Sequence, residues 1–248
     1  MIEKRFSGSE SLEYDLVYRT AFGPARMAEK VIGRILTERF EKRDDSTFRV
    51  LELGCGTGIT TEIILNADPR IIVDAVDNEN NMIVQIGSKL RKQNLAGRVN
   101  LFELDAEEAC RTLRAKYDAI VTAFMIHNLP RTKRDSLINA VYCALGVDKL
   151  FINADKIAQD DPKAHEKSLA WQMEQFKKFD RIGKPELRTY WEQHYLRDNQ
   201  DDLILKESEF TNRLEVTGFL DVQRVFRRHT EAVYVASTRS KSYLETIE

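Results

Sequence analysis

Three carboxylates that close three successive apolar runs, Glu52, Asp77 and Asp105, are the residues here whose type and spacing can do chemistry. Between the first two lies a loop of alternate glycines, G-C-G-T-G at residues 54–58. Glycine accepts positive φ and carries no side chain, so such a loop turns a strand into a helix while leaving its backbone open to a ligand. A carboxylate at the end of the second run can accept two hydrogen bonds from a ribose diol, and one at the end of the third can accept from an exocyclic amine while the next backbone N–H serves a ring nitrogen. After the fourth run the chain reads A-F-M-I-H-N-L at residues 123–129, where His127 is the one titratable group. An imidazole there can take or hold a proton near neutral pH.

The elements that must position these groups follow from hydrophobic patterning. Residues 48–53, 71–76, 99–104, 117–122 and 149–154 read as short apolar strands, with helices after the glycine loop, at 80–92 and at 131–145. Thr57 or Thr60 is the expected cap of the helix that follows the loop. A parallel sheet brings Glu52, Asp77 and Asp105 to one carboxyl edge, the ligand edge of open α/β folds. Asp74, opposite in face to Asp77 by strand alternation, is expected at a solvated or edge position. A helix at 208–217 and strands at 222–228 and 232–237 form a closing hairpin, giving a mostly parallel sheet with an antiparallel last strand.

A nicotinamide fingerprint G-x-G-x-x-G counted from Gly54 needs glycine at position 59, where the chain has the β-branched Ile59. The sequence G-x-G-x-G preceded by Glu52, followed by Asp77 and then by Asp105-Ala106, instead resembles the class I S-adenosylmethionine (SAM) dependent methyltransferases over about residues 45–155. The resemblance implies an α/β, Rossmann-like fold with a seven-stranded sheet, SAM as cofactor, and methyl transfer as the reaction. It also implies a cofactor set of Glu52, Gly54, Cys55, Gly56, Gly58, Asp77, Asn78, Asp105, Ala106 and Thr122. The whole chain, 1–248, then reads as one methyltransferase domain. It comprises cap helices (11–42), a SAM-binding core (45–155), a helical lid insertion (156–205), a last helix with closing hairpin (206–238) and a tail (239–248).

Two stretches outside the core are expected to set the substrate. Residues 11–36 suggest two helices broken at Gly23-Pro24, with Tyr14 and Tyr18 four apart on one face, their hydroxyls free to bond in a pocket. In the insertion, Trp171, Gln175 and Phe179 recur at helical spacing, as do Trp191, His194 and Tyr195. A lid reading makes Trp171, Gln175, Trp191 and His194 substrate-binding. Packing of the stripe on the domain, or on a second subunit in a homodimer, is the plainer alternative. The leading expectation is methylation of a small molecule, with His127 as base or positioning residue and His194 as a more remote candidate. The insertion also resembles that of carboxy-SAM synthase, whose grip on the extra carboxylate maps near Gln193 or His194, with Arg197 one turn away. An RNA-modifying enzyme and a non-catalytic SAM-binding subunit are the remaining readings. DNA and protein amino-methylation fit less well, because the (D/N)-P-P-(Y/F) motif is absent after the fourth strand.

Lys and Arg number 38 against 40 Asp and Glu, a net charge of -2, which predicts no strong nucleic-acid or anionic-membrane partner. No apolar run reaches membrane-spanning length and the first ten residues are no secretory signal, so a cytoplasmic location is expected. Cys55, Cys110 and Cys143 lack C-x-x-C spacing, and the four histidines are dispersed, so no metal is expected. Cys55 reads as a small side chain beneath the ligand, or else as a thiol activated at a helix N-terminus.

Overall fold

The computed structural model describes residues 10–41, 47–92, 95–113 and 117–238. Five strands, β1 (Phe48–Leu53), β2 (Ile71–Asp77), β3 (Val99–Glu103), β4 (Ala119–Ala123) and β5 (Leu150–Lys156), pair in parallel. A hairpin of β6 (Asp221–Arg228) and β7 (Glu231–Ser237) then closes the sheet in the order β3-β2-β1-β4-β5-β7-β6, with β7 antiparallel to both neighbours. The unbroken apolar runs of the inner strands follow from burial on both faces: every residue of β5 and β7 is buried.

One face is covered by α2 (Gly23–Glu41), α3 (Ile59–Ala67) and α4 (Asn80–Lys92), whose Ile32, Leu36, Phe40, Ile64 and Ile86 share a core with Val50, Val73 and Ile152. The other is covered by α5 (Ala106–Thr112), α6 (Arg131–Ala144) and α10 (Glu207–Thr217), through Leu137, Val141, Phe210 and Leu214 against Leu51 and Phe151. Helix α1 (Glu10–Ala21) and the helices of the insertion, α7 (Pro162–Phe176), α8 (Lys178–Arg181) and α9 (Pro185–Asp198), make a third core in which Val17, Tyr18 and Phe22 meet Phe176, Phe179 and Trp191. The N-terminal helix and the insertion, distant in sequence, are thus one packed unit. Only Phe22 separates α1 from α2, at the expected Gly23-Pro24 break.

Several expectations are corrected. Asp74 is buried, not solvated: β2 lies between β1 and β3, and its carboxylate accepts from Arg49 Nη2 (3.1 Å), Asn100 Nδ2 (2.7 Å) and the Tyr117 hydroxyl (2.8 Å). Neither threonine caps α3. The N-cap is Gly58, while Thr57 donates to Asp15 and Thr60 to Glu29. β5 runs two residues past its expected end because β7 pairs with Asp155 and Lys156. The stripe of α7 does not reach the cavity: Trp171 stacks on His229 at the β6–β7 turn (3.8 Å between ring centres, 9° between planes) and Gln175 donates to the Trp171 carbonyl. The tail at 239–248 and the side chain of Tyr14 lie outside the described residues.

Candidate active site

The carboxyl edge of the sheet opens into a cavity of ≈ 230 Å³ between the glycine loop, the ends of β2, β4 and β5, and helices α1, α2 and α9. Its loop side is set by backbone conformation. Gly54 and Gly58 hold φ of 74° and 82°, where a Cβ would also lie 2.5 Å from Met125 Cγ and from Ile86 Cγ1 respectively, so both positions exclude side chains. A Cβ at Gly56 would meet nothing within 4 Å, and Gly56 lines the cavity. The loop therefore presents bare backbone to the cavity there. Asp77 holds this shape: Oδ2 accepts from Gly56 N (2.8 Å) and Oδ1 from Glu79 N (3.0 Å), while burial pushes its carboxyl above the usual range. Asp105 caps α5 through Glu107 N and Glu108 N, and with Asn78 and Ala106 it lines the same end.

Three expected cofactor residues play other parts. Glu52 lies behind the loop, accepting from Thr61 Oγ1 (2.5 Å), and burial raises its carboxyl to about 8. Gly58 shapes the turn against Ile86, and Thr122 donates to Asn153 Oδ1 (2.7 Å) inside the sheet; none of the three borders the cavity. Cys55 does border it, but burial drives its thiol well above the usual range, so it is a small packing side chain and not an activated nucleophile. Tyr18 lines the cavity with its hydroxyl engaged, donating to Glu29 of α2, a carboxyl that burial raises to about 7.

The opposite end is a buried polar cluster. His127 follows β4 in a 3-10 turn, and its Nδ1 lies 2.5 Å from Asp155 Oδ1; since a carboxylate only accepts, Nδ1 donates to it, and Nε2 is the ring nitrogen on the cavity side. Asp155 also accepts from the backbone N–H groups of His127 and Lys156, so the ring is anchored to β5. From α9 of the insertion, Asp198 Oδ2 reaches Lys156 Nζ (2.5 Å), His194 Nε2 (3.2 Å) and, at 4.0 Å, His127 Nε2. Burial opposes ionisation of Asp198, but the His194 hydrogen bond and the Lys156 charge outweigh it and hold its carboxyl below the usual range. Burial lowers His194 to about 4 and lowers Lys156 as well. His194 and Trp191 thus line the cavity as expected, whereas Trp171 and Gln175 do not.

The histidines that look dispersed in sequence converge: His127, His194 and Asp198 each bring a ligand-type atom within 4.8 Å of the others. In this arrangement the ammonium of Lys156 already gives Asp198 a cation. Sequence reasoning passed over Asp155, Lys156, Asp198, Glu29 and Glu231. The first two end the fifth strand just as Asp77 ends the second, and Asp198 follows His194 by one helical turn. For Glu231 there is no local signal.

A doubly wound seven-stranded sheet with its last strand reversed, and a glycine loop opening onto the carboxyl edge, together make the Rossmann-like class I methyltransferase fold. A family model described as a methyltransferase domain matches residues 50–147. A malonyl-[acyl-carrier protein] O-methyltransferase of Bacillus cereus is 31% identical over 138 residues, 54% of this chain and 46% of that protein. The chain thus spans about half the length of that relative. A carboxy-S-adenosyl-L-methionine synthase of Trichodesmium erythraeum is 25% identical over 191 residues, covering 76% of this chain and 72% of the relative. Among solved structures, a protein of Methanococcus maripaludis assigned as a SAM-dependent methyltransferase superposes with a TM-score of 0.64 at 13% identity, covering 97% of both chains. These likenesses support a class I SAM-dependent methyltransferase domain within the chain.

The residues present fit that family's cofactor. The open backbone at Gly56 suits the amino-acid end, Asp77 the ribose hydroxyls, and Asp105 with Ala106 the adenine. Asp77→Ala is expected to weaken binding of S-adenosylhomocysteine by about 30- to 150-fold, the cost of roughly 2–3 kcal/mol for losing charge-assisted hydrogen bonds. Calorimetric titration measures this, and affinity within threefold of wild type removes Asp77 from the ligand set.

Proposed function

We propose that this chain is an enzyme that transfers the methyl group of SAM to a small-molecule acceptor enclosed under α9, with α7–α9 and α1 acting as a lid within one catalytic domain. The observation that carries the reading is the anchoring of His127: Nδ1 is held by Asp155, which directs Nε2 to the cavity wall, where in the neutral ring it accepts a proton. SAM, when bound, supplies a methyl group already activated on a sulfonium, so the protein's work is alignment, water exclusion and proton handling. A hydroxyl or other acidic group on the acceptor passes its proton to His127 Nε2, and the imidazolium so formed stands between Asp155 and Asp198. Tyr18, Trp191 and Tyr195 wall the cavity with apolar surface that limits water.

A small acceptor is supported by the size of the cavity, ≈ 230 Å³, which it must share with the cofactor. The name of the Bacillus cereus relative gives an oxygen acceptor on an acyl carrier protein, and an oxygen nucleophile is compatible with a histidine base. A carboxylated donor is disfavoured: no arginine lines the cavity among the described residues, and Lys156 is committed to Asp198. No described helix is long and apolar enough to cross a membrane.

The test is incubation of the full chain with methyl-labelled SAM and a fractionated cell extract. Label in a soluble low-mass product is the expected result. Label in RNA or protein overturns the acceptor class, and binding of SAM without any transfer makes the chain a non-catalytic SAM-binding subunit.

A further inference from the structure

Glu231 is the first residue of β7 and the most deeply enclosed carboxyl of the cavity wall. Its side chain is 1% exposed, and its Oε2 has no hydrogen-bond partner. A buried carboxylate oxygen without a donor costs roughly 1–3 kcal/mol, so it persists where something compensates it. Across the strand pair it faces Lys156, but the Lys156 ammonium is bonded to Asp198 Oδ2 at 2.5 Å and lies 4.0 Å from the centre of the Tyr195 ring. Burial raises the Glu231 carboxyl to about 7, against the opposing effects of its own backbone N–H, Thr230, the Lys156 charge and Tyr195.

The charge balance of the cavity points the same way. Five carboxyl residues line it, Glu29, Asp77, Glu79, Asp105 and Glu231, against Lys156 as the single Lys or Arg among the described lining residues. Asp77 and Asp105 belong to the cofactor end, and Glu29 is bonded by Tyr18 and Thr60. Glu231 keeps one oxygen, Oε2, without a partner, near the Tyr195 ring. Phe22 stands edge-on to Trp191 at 5.0 Å and tilted to Tyr195 at 6.1 Å. Aromatic rings beside a carboxyl oxygen that lacks a donor are a setting for an organic cation, which gains from both.

We infer that the acceptor carries a protonated nitrogen, an ammonium or amidinium on an apolar body, which donates to Glu231 Oε2. This inference rests on the methyltransferase reading and narrows its substrate class. The held nitrogen is an anchor and not the nucleophile, because while protonated it has no lone pair to offer the methyl group. The attacking atom is a different group on the same molecule, and its proton goes to His127.

The experiment uses the full chain saturated with S-adenosylhomocysteine and three isosteric probes, 2-phenylethylamine, 2-phenylethanol and phenylacetate, titrated by calorimetry. The ammonium is expected to bind at least about tenfold tighter than the alcohol, with phenylacetate weakest, a difference on the order of 1.4 kcal/mol or more. In Glu231→Gln, with unchanged S-adenosylhomocysteine affinity, the preference for ammonium over alcohol is expected to vanish. Equal or tighter binding of the alcohol or the anion overturns the proposal, as does a preference that survives in Glu231→Gln. Failure of all three probes to bind below about 10 mM overturns it too. The wild-type series decides alone if the variant does not fold. Ammonium preference without methyl transfer from labelled SAM counts against the reaction and leaves the site standing; transfer without that preference does the reverse.

Discussion

His127→Ala is expected to keep its affinity for S-adenosylhomocysteine and to lose kcat by roughly 10²- to 10⁴-fold toward whatever soluble acceptor the labelling experiment identifies. The size of the loss follows from what the ring does. Asp155 fixes its tautomer and its orientation through three hydrogen bonds, two of them from backbone N–H groups, so no reorganisation is needed when Nε2 takes a proton. Cofactor affinity should hold because the glycine loop, Asp77 and Asp105 lie at the other end of the cavity. Asp155→Asn probes the same unit: an amide facing Nδ1 favours the other tautomer and places a proton on Nε2, so a loss nearly as large is expected. A purely positioning role gives a different signature. His127→Gln would then recover most of kcat, and the acid limb of the wild-type pH profile would persist in the variants. kcat within threefold of wild type in His127→Ala removes the base assignment.

Asp198→Ala is expected to lower folding stability by about 3–5 kcal/mol, the range seen when one partner of a buried ion pair is removed. Asp198 is 3% exposed and Lys156 8%, so water cannot replace the carboxylate, and the ammonium is left in the cavity wall between Tyr195 and Glu231. In a chain of this length that corresponds to a fall in Tm on the order of 10 °C. The loss depends on pH with a definite sign. Lys156 has its folded pKa already lowered by burial, and removing Asp198 lowers it further, so below that value the variant must bury a bare cation or give up a proton to fold. The deficit is therefore greatest above the ordinary carboxylate range and below the lowered Lys156 value; it shrinks as pH rises toward the ordinary lysine range, and also in acid, where the wild type loses the stabilisation that ionised Asp198 provides. A double variant, Asp198→Leu with Lys156→Met, is expected to regain most of the stability, since an apolar pair requires no compensation. Denaturant midpoints for the three proteins measure this, and a loss below about 1 kcal/mol in Asp198→Ala shows that the pair is not an isolated buried one.

How much of this was legible depended on whether burial leaves a local trace. β1 and β2 were legible at residue level because strands covered on both faces need continuous apolar runs, and Asp77 stands out where such a run stops. Asp155 and Lys156 close β5 in the same way, but the sequence places Asp155 just past the strand and Lys156 at the start of the insertion, because their pairing with Ala232 and Glu231 lies more than seventy residues away. The aromatic stripes of α7 and α9 look alike in sequence. Tertiary packing separates them, turning Trp171 onto His229 while Trp191 faces Phe22. Asp74 was misread because alternation gives only the opposite face of a strand, and in a doubly wound sheet that face is covered too. Glu231 reads as an ordinary hairpin residue, and only the closing of the sheet makes it a buried acid.

The two tryptophans of the chain therefore give it a built-in optical readout. Trp171 lies flat on an imidazole at the rim of the sheet, far from the glycine loop in sequence and outside the cavity, whereas Trp191 is edge-on to Phe22 within it. Emission from the first reports whether the insertion is seated on the hairpin, and emission from the second reports what fills the cavity. Replacing either indole with phenylalanine leaves a single-colour sensor, so seating and filling can be timed separately in one mixing experiment without attaching any dye.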